Sequence, residues 1–332
     1  MEDVAREDFQ EKPTRLVNMN QLGHALNELD APRVMSLFVY SSNPAAVAPD
    51  QNAVLRGLSR EDLFTVVHER FLTDTAAYAD LVLPATSSLE HADLYRSFGH
   101  YAIQRVKAAI PPVGEARSNW DVFSLLAEEL GFREPFFRQS ADELIERLLS
   151  APSPMREGID RRALDEGNAV QLAIPAGATK RWATPSGRIE ILNPALPQPL
   201  PCWMPTHEED GTLPFRLVMG VTPYSLNSSF QEREELRARS GGMRLGMNPE
   251  DAGERGLRDG ERVAASNALG DAVFLLQVTP RVPRGVVVAE GVSWLAHVPG
   301  KRNVNALTAQ RLTDMAGGST FSDNRVEVRR EA

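Results

Sequence analysis

The segment at residues 66–97 constrains the fold of this chain more than any other. It reads VVHERFLTDTAAYADLVLPATSSLEHADLYRS, a short apolar run, a turn dense in hydroxyl and carboxylate groups, and a second apolar run that ends at Pro84. Short buried strands that end in polar turns are typical of an open α/β sheet. Ligands of such sheets bind at the carboxyl ends of the strands, so this turn marks a candidate nucleotide site.

Two strands, predicted at 34–40 and 63–67, each end in such a polar turn. If the strands are adjacent and parallel, their turns meet at one crevice. A carboxylate such as Glu69 can accept two hydrogen bonds side by side, which suits the amide-and-amine edge of guanine. Each turn alone is also typical of an ordinary strand end or helix cap. The candidate ligands in these turns are Asn43, Pro44, Glu69, Thr73 and Thr75.

The first half of the chain alternates helices with short strands. A helix at 119–130 is predicted to begin with a capping box of Ser118 and Asp121, and Ser140 with Glu143 opens another. This alternation predicts an α/β lobe with a doubly wound parallel sheet. The expected apolar faces are Phe123, Leu126, Ala127 and Leu130 in the first helix, and Leu144, Ile145, Leu148 and Leu149 in the second.

From about residue 151 the pattern changes, because prolines interrupt the chain repeatedly and few helical faces remain. We expect a Pro-rich connector at 151–210 that contains a hairpin-like piece at 184–192. The α/β lobe then occupies 1–150, and a β-barrel domain occupies 211–332. Closed β-structure with one short helix, from cap Asn248 to Gly256, fits a six-stranded barrel. Its predicted strands lie at 215–219, 261–266, 272–278, 285–289 and 325–329.

Six segments, in this order along nearly the whole chain, resemble the molybdopterin oxidoreductases of the dimethyl sulfoxide reductase and formate dehydrogenase superfamily. The resemblance implies a barrel of the double-psi type and a bis-molybdopterin guanine dinucleotide cofactor with molybdenum or tungsten. The segments are LFVYSSNPAAVAPD, DLFTVVHERFLTDTAAYADLVLPATSSLEHADLYRSFGH, PPVGEARSNWDVFSLLAEELGF, FRLVMGVTPYSLNSS, NPEDAGERGLRDGERV and NVNALTAQRLTDMAGGSTFSDNRVEV.

The resemblance also implies further cofactor contacts in the second half. The loop after the first barrel strand would close over the pterin and the pyrophosphate, although a polar loop is ordinarily just solvated. Amides make precise hydrogen bonds and the fork of Arg325 suits a phosphate, but these residues also fit the turn chemistry of strand ends. The candidates are Thr222, Tyr224, Asn227, Ser228, Asn303, Asn305, Thr308, Asn324 and Arg325.

Members of this superfamily are about twice this length and begin with a cysteine cluster for an iron–sulfur cluster. The single cysteine, Cys202, cannot hold such a cluster, so the resemblance is to a C-terminal part. The catalytic residues and the metal ligand stay unknown, and the isolated chain is expected to be inactive. The cofactor would be shared with an upstream polypeptide that carries the iron–sulfur cluster and the remaining lobes. The alternative is a non-catalytic orphan protein that binds a dinucleotide or a partner.

Composition argues against several other classes. The net charge is −9 and no Lys/Arg stripe is present, which disfavours nucleic acid and anionic membranes as partners. No apolar run reaches the roughly 18 residues of a membrane-spanning helix, and the N-terminus lacks the apolar core of a signal peptide, so we expect a cytoplasmic protein. The histidines show no metal-binding spacing, and we therefore expect no zinc or other metal site made by this chain alone.

Overall fold

The computed structural model describes residues 14–96, 98–174, 182–203 and 212–331. Within those ranges the chain forms twelve β-strands, in chain order β1 (Ser36–Tyr40), β2 (Phe64–Glu69), β3 (Leu81–Pro84), β4 (Asp93–Arg96), β5 (Ala102–Val106), β6 (Val170–Gln171), β7 (Phe215–Gly220), β8 (Arg244–Met247), β9 (Arg262–Asn267), β10 (Gly270–Val278), β11 (Val286–Glu290) and β12 (Asn324–Arg330). The α-helices of the same ranges are α1 (Leu22–Glu28), α2 (Pro44–Val47), α3 (Gln51–Leu58), α4 (Asn119–Glu129), α5 (Ala141–Ser150), α6 (Arg161–Asp165), α7 (Glu234–Ser240) and α8 (Pro249–Glu254). Short 3-10 helices include Ala76–Tyr78, Leu295–His297 and Val304–Leu307.

The described residues form two compact units. The barrel unit combines Arg15–Leu83 with the described part of Pro205–Ala332, and the inserted unit is the described part of Pro84–Met204. The sequence predicted other boundaries, at residues 150 and 210. The units divide differently because the segment before Pro84 hydrogen-bonds to the barrel, whereas the elements after it pack around a core of their own.

The barrel unit contains a three-stranded sheet in the order β1-β2-β3. As predicted, β1 and β2 are adjacent and parallel, with Ser36 opposite Phe64 and Tyr40 opposite His68. Their carboxyl ends therefore lie at the same edge of the sheet. Helices α1 and α3 cover this sheet with a buried cluster that includes Leu26 and Val54. Among the described residues this sheet ends at Pro84, so it is smaller than the predicted lobe.

A closed six-stranded barrel makes up the rest of this unit, in the order β10-β8-β11-β7-β12-β9. Two pairs are parallel, β8 with β10 and β7 with β11, and the other four are antiparallel. The six-stranded barrel is confirmed, but β8 was not predicted, because its Gly246 is disfavoured in strands. The side chains of Leu217, Leu245, Met247 and Val287 are fully buried in the core.

The short helix between β8 and β9 is also confirmed, although it ends at Glu254 and a second helix, α7, which the sequence did not predict, lies between β7 and β8. Asn248 caps α8 by accepting a hydrogen bond from Glu250 N, and Pro249 occupies the first helical position. Asn267 and Gly270 pair across the turn that joins β9 to β10.

The inserted unit contains an antiparallel sheet in the order β4-β5-β6. Helices α4 and α5 both begin with the predicted capping boxes, at Ser118 and Ser140. Arg105 on β5 donates to three carboxylates of α5 and α6, at 2.8 Å to Asp142, 2.5 Å to Glu146 and 2.8 Å to Asp165. Ion pairs thus tie the sheet to the helices that cover it.

Two predictions about this unit are wrong. The expected apolar face of α4 is mostly not buried, because Leu126 and Leu130 are 38% and 67% exposed and Ala127 alone among its four residues is buried. Residues 184–192 do not form a β-hairpin. Hydrogen bonds that involve side chains take the place of the backbone–backbone hydrogen bonds of a hairpin, since Thr184 Oγ1 donates to Arg188 O and Ser186 N donates to Glu190 Oε1.

Candidate functional site

A pocket of about 280 Å³ lies in the barrel unit, where β1 and β2 end. Parallel sheets bind ligands at this edge, because polar turns leave the strands together there. Three loops and one tryptophan form the wall. The lining residues are Ser41, Ser42 and Asn43 after β1, Glu69 at the end of β2 with Arg70, Phe71 and Thr73 after it, Leu226, Ser228, Ser229, Phe230 and Glu232 after β7, and Trp294 after β11.

Asn43 fixes the two sheet turns against each other. Its Oδ1 accepts hydrogen bonds from Thr75 N at 3.1 Å and from Thr75 Oγ1 at 2.7 Å. Thr75 Oγ1 in turn accepts from Ala45 N at 3.0 Å, at the start of α2. Because Asn43 and Thr75 are both buried, these bonds are shielded from water. The two turns therefore converge, as the sequence predicted.

Asp74 joins the same turns to the barrel. Its Oδ2 accepts from Leu295 N at 2.9 Å and from Asn43 Nδ2 at 3.4 Å, and its Oδ1 accepts from Ala296 N at 3.1 Å. Leu295 begins the short helix that follows Trp294. One buried carboxylate thus links both sheet turns to the wall that Trp294 provides.

Glu69 is the best-placed acceptor in the pocket. It is 9% exposed, and its Oε1 accepts from Arg70 N at 2.7 Å and lies 3.6 Å from Arg70 Nε. Its second oxygen, Oε2, has no hydrogen bond from the residues that the structure describes and is available to a ligand. Thr73 Oγ1 accepts from Ala76 N at 3.3 Å, so its hydroxyl hydrogen can still be donated.

The charge of the lining favours a ligand group that donates hydrogen bonds. Two carboxylates, Glu69 and Glu232, face a single cation, Arg70. The walls also include aromatic rings, Phe71 and Phe230, which are about half exposed. A planar base that carries amine and amide hydrogens suits such a pocket better than a phosphate does.

The loop after β7 is held in an unusual backbone conformation. Asn227 and Phe230 have φ of +50° and +69°, and Ser41 on the opposite wall has φ of +49°. Left-handed backbone at residues other than glycine is costly and is often retained at ligand sites. Ser228 O accepts from Trp294 Nε1 at 2.7 Å, which fixes the loop to the tryptophan. The pocket is therefore preformed on this side.

Trp294 stacks on His297 with ring centroids 6.0 Å apart. Burial, and next the charge of Arg237, hold the pKa of His297 below its ordinary value, while Asp74 acts in the opposite direction. The imidazole is thus biased toward its neutral form beside the wall of the pocket.

The structure brings together four of the residues that the sequence singled out, namely Asn43, Glu69, Thr73 and Ser228. Pro44 is the first residue of α2, directly after the lining residue Asn43. Thr75 lies behind the lining and is fully buried.

Thr222 and Tyr224 lie on the loop after β7 but outside the pocket lining, and Asn227 immediately precedes the lining residue Ser228. Thr222 Oγ1 accepts from Tyr224 N at 3.4 Å. Gly291 has φ of +70°, and a Cβ atom there would lie only 2.7 Å from Thr222 Cγ2. Glycine at 291 thus permits the close approach of this loop.

The remaining candidates bond to the protein itself. Asn303 Nδ2 donates to Ala46 O at 3.0 Å and to Ser293 O at 2.8 Å, and Asn305 Nδ2 donates to Ala46 O at 2.8 Å. Thr308 Oγ1 lies 3.2 Å from Asn305 Oδ1. These three side chains are fully buried, and the two asparagines hold the backbone of α2 by hydrogen bonds to Ala46 O. None of the three lines the pocket.

Asn324 and Arg325, at the start of β12, also lie outside the pocket lining. Asn324 Oδ1 accepts from Ala309 N at 2.9 Å, and Arg325 NH1 donates to Leu213 O at 3.0 Å. The buried side-chain amide of Asn324 thus hydrogen-bonds to backbone groups. A sequence pattern cannot distinguish such an amide from one that binds a ligand.

Sequence reasoning missed most of the wall opposite the sheet, including Phe230, Glu232 and Trp294. These residues are far from β1 and β2 in the sequence, so no spacing could have related them. Ser41 and Arg70 had a usable signal, because Ser41 directly follows one predicted strand and Arg70 lies in the polar turn after the other.

In the part of the chain that the structure describes, no group of three or more His, Cys, Asp or Glu side chains could hold a metal ion. None of the helices described there is long and apolar enough to cross a bilayer.

Comparison with known proteins identifies the family. The model of the molybdopterin oxidoreductase family matches residues 12–129, and the model of the molydopterin dinucleotide binding domain matches residues 215–325. The chain belongs to the molybdopterin oxidoreductases of the dimethyl sulfoxide reductase superfamily. Two pocket walls, the sheet turns and the loop after β7, fall within the two matched ranges.

The relatives are considerably longer than this chain. Over 320 residues it is 41% identical to the Bacillus subtilis protein named Probable oxidoreductase YoaE, covering 95% of this chain and 47% of that protein. It is 27% identical over 307 residues to trimethylamine-N-oxide reductase of Haemophilus influenzae, covering 80% and 37%. It is 29% identical over 300 residues to the dimethyl sulfoxide/trimethylamine N-oxide reductase of Rhodobacter capsulatus, covering 79% and 36%. The chain thus spans half of their length or less.

A solved structure shares the fold. Acetylene hydratase from Pelobacter acetylenicus superposes with a TM-score of 0.79 at 20% sequence identity, covering 95% of this chain and 47% of that one.

Proposed function

We propose that this chain is the dinucleotide-binding part of a molybdopterin oxidoreductase and that its pocket holds the guanosine end of a molybdopterin guanine dinucleotide. The observation that carries the proposal is the convergence of Glu69, Thr73 and Asn43 at the carboxyl ends of two parallel strands. The family match supports this function over that of an orphan interaction protein.

The preference for guanine follows from the hydrogen-bond donors of the bases. Guanine presents two neighbouring donors, the N1–H and the N2 amine, and a carboxylate can accept both. Adenine and cytosine present one amine beside a ring nitrogen that is an acceptor. In this pocket the ring nitrogen would face a carboxylate oxygen, and the two acceptors would repel each other. Glu69, with Oε2 free of protein donors, is the residue that we assign to this edge.

The rest of the dinucleotide would extend along the loop after β7, with Thr222, Tyr224 and Asn227 near the pterin and the pyrophosphate. Within this proposal the barrel is of the double-psi type. Asn303, Asn305 and Thr308 would act indirectly, because they hold the backbone of α2 and their amides already bond to protein. Arg325 would contact a phosphate while its Nη1 donates to Leu213 O, since a guanidinium carries five N–H donors.

When bound, the cofactor with molybdenum or tungsten supplies two-electron redox or oxygen-atom transfer chemistry. The residues of this chain bind the nucleotide, orient it and exclude water around it. We further propose that an upstream polypeptide supplies the metal ligand, the iron–sulfur cluster and the remaining cofactor contacts, and that the assembly is cytoplasmic. The lone Cys202 fits a reducing compartment.

Nucleotide binding by the purified chain tests the proposal. We expect GDP to bind more tightly than ADP or CDP in equilibrium dialysis. Glu69→Gln keeps Oε1 for Arg70 N but replaces Oε2 with a donor, so GDP affinity should fall about tenfold, which is about 1.4 kcal/mol.

Glu250→Gln is the matched control, because Glu250 is an exposed carboxylate of the same unit outside the pocket. It should leave GDP binding unchanged. Equal affinity of the wild type for GDP and ADP, or of Glu69→Gln and the wild type for GDP, would show that the assignment is wrong.

A further inference from the structure

We infer that Asp74 is a positioning residue that sets the distance between the two walls of the pocket, by holding the turn of Trp294 against the sheet. The inference rests on the proposed function for its ligand. Asp74 lies outside the pocket lining, but its neighbour Thr73 is part of it. Asp74 acts through Trp294 and Asn43, both of which line the pocket.

The hydrogen bonds of Asp74 all go to these walls. Two backbone N–H groups, of Leu295 and Ala296, donate to its two oxygens at 2.9 and 3.1 Å. They are free for this because they begin a short 3-10 helix and have no partner in the preceding turn. Asn43 adds a third, longer bond at 3.4 Å.

The negative charge of Asp74 is stabilised by these three N–H donors. The side chain is 8% exposed, and no lysine or arginine among the described residues forms an ion pair with it. A buried carboxylate without a counter-ion is expensive unless hydrogen-bond donors surround it. Its position is therefore strongly tied to the two N–H groups, and the turn after β2 cannot move without moving Trp294.

Trp294 is held at its other end by Ser228 O. The wall is thus a chain of contacts that runs from Asp74 through Trp294 to the loop after β7. An asparagine at position 74 would offer one acceptor oxygen to one of these two backbone N–H groups. Its side-chain NH2 would face the other N–H, so that two hydrogen-bond donors would oppose each other. We expect the Trp294 turn to loosen and the pocket to widen.

Trp294 itself reports this change, because it is the only tryptophan of the barrel unit. In a full-length chain with Trp120, Trp182 and Trp203 replaced by phenylalanine, Asp74→Asn should increase acrylamide quenching of Trp294, which is 8% exposed in the wild type. GDP affinity should fall about tenfold, which is about 1.4 kcal/mol. Thermal unfolding measured on the same samples establishes that the variant is folded.

Asp251→Asn is the matched control. Asp251 is a buried carboxylate of the same unit that also accepts from a backbone N–H, Gly285 N at 2.8 Å, and it lies outside the pocket lining. It differs from Asp74 in that it also accepts from Arg284 Nε at 3.1 Å. A merely structural role predicts that both variants lose stability and that neither specifically alters the site. Positioning predicts that the control leaves Trp294 quenching and GDP affinity unchanged.

The outcomes separate this inference from the proposed function. If the wild type does not bind GDP, the proposed function fails, and unchanged quenching in Asp74→Asn would overturn the inference as well. If the wild type binds GDP but Asp74→Asn leaves either quenching or affinity unchanged, the inference alone is overturned. Should Asp74→Asn not fold, Asp74→Glu keeps the charge but displaces the carboxylate by one methylene, and the same two changes are required of it.

Discussion

Two helix-holding networks, one in each unit, use polar interactions in opposite ways, although α8 of the barrel unit is also held by an arginine, Arg284, that pairs with three of its carboxylates. The barrel unit fixes α2 with fully buried, uncharged amides, namely Gln51, Asn303 and Asn305. The inserted unit fixes its helices with Arg105, which is 11% exposed, and with carboxylates that are 47% to 63% exposed. Hydrogen bonds between neutral buried groups depend on exact geometry and hardly on salt, whereas partly exposed ion pairs are screened.

The contrast matches what each unit has to do. The barrel unit carries the candidate site, and buried amides hold its turns in one arrangement, as a preformed pocket requires. The charged contacts of the inserted unit stabilise without demanding a single geometry, since three carboxylates can share one guanidinium. In the folded chain these carboxylates raise the pKa of Arg105 above its ordinary value, and the hydrogen bond to Asp142 makes the largest contribution.

The largest expected effect is the loss of Asn303. Asn303→Ala removes the side-chain donor to Ala46 O and Ser293 O. It also removes Asn303 Oδ1, which accepts a hydrogen bond from Gln51 Nε2 at 3.1 Å in the wild type. Buried groups that lose their partners should cost the barrel unit about 3 kcal/mol of unfolding free energy. Urea unfolding followed by Trp294 fluorescence measures it.

Asn20→Ala is the control for this prediction, because the Asn20 amide bonds to nearby Asn18 at the edge of the unit. It should change the urea midpoint little. A loss in Asn303→Ala no greater than in this control would mean that the amide network does not stabilise the unit.

A smaller effect is expected in the inserted unit. Arg105→Met leaves Asp142, Glu146 and Asp165 without their shared cation and should cost about 1.5 kcal/mol at low salt. Trp120 fluorescence, with the other tryptophans replaced, follows this unit in urea. Because salt screens the pairs, the cost should shrink at 1 M NaCl, while the cost of Asn303→Ala should not.

Arg162→Met is the corresponding control, since Arg162 is 90% exposed and, within the described ranges, pairs with Glu166 alone. Its effect should be within about 0.5 kcal/mol at any salt concentration. If Arg105→Met costs the same at low and high salt, the two units do not differ in the way described above.

The smallest expected effect is a pH dependence in the barrel unit. Because the pKa of His297 is lowered from 6.5 in the folded state, the unfolded chain binds its proton first as pH falls. The contribution of neutral His297 is therefore present above pH 6.5 and is lost as the pH falls toward the folded-state pKa. Comparing wild type and His297→Gln at pH 7.5 and 5.5 by Trp294 fluorescence isolates it, and equal midpoint shifts in both proteins would contradict it.

The sequence predicted those parts of the fold that depend on local patterns. Continuous apolar runs identified β1 and β2, and capping residues identified the starts of α4, α5 and α8. Strand β8 was missed because Gly246 interrupts its apolar pattern. Its glycine fits the barrel closely, since a Cβ atom there would lie 3.2 Å from Val282 Cγ2.

The candidate site was predictable only on the sheet side. Glu69 and Asn43 follow strands and could be read from the sequence, whereas Trp294 reaches the pocket through a turn that Asp74 holds from 221 residues away. Asn303 was predicted from the sequence as a cofactor contact, but a buried amide could equally bond to a ligand or to the backbone. Only the three-dimensional structure supplies its partners.

The order of the barrel strands has a consequence for synthesis of the protein. The first barrel strand, β7, pairs with β12, which ends at Arg330, so the barrel cannot close until about 110 later residues have left the ribosome. The turns that contain Asn43 and Asp74 are made much earlier and wait for their barrel partners, while the inserted unit, encoded between the two halves, can fold in the interval. A nascent chain halted before β12 would therefore contain a folded inserted unit and an unfinished candidate pocket.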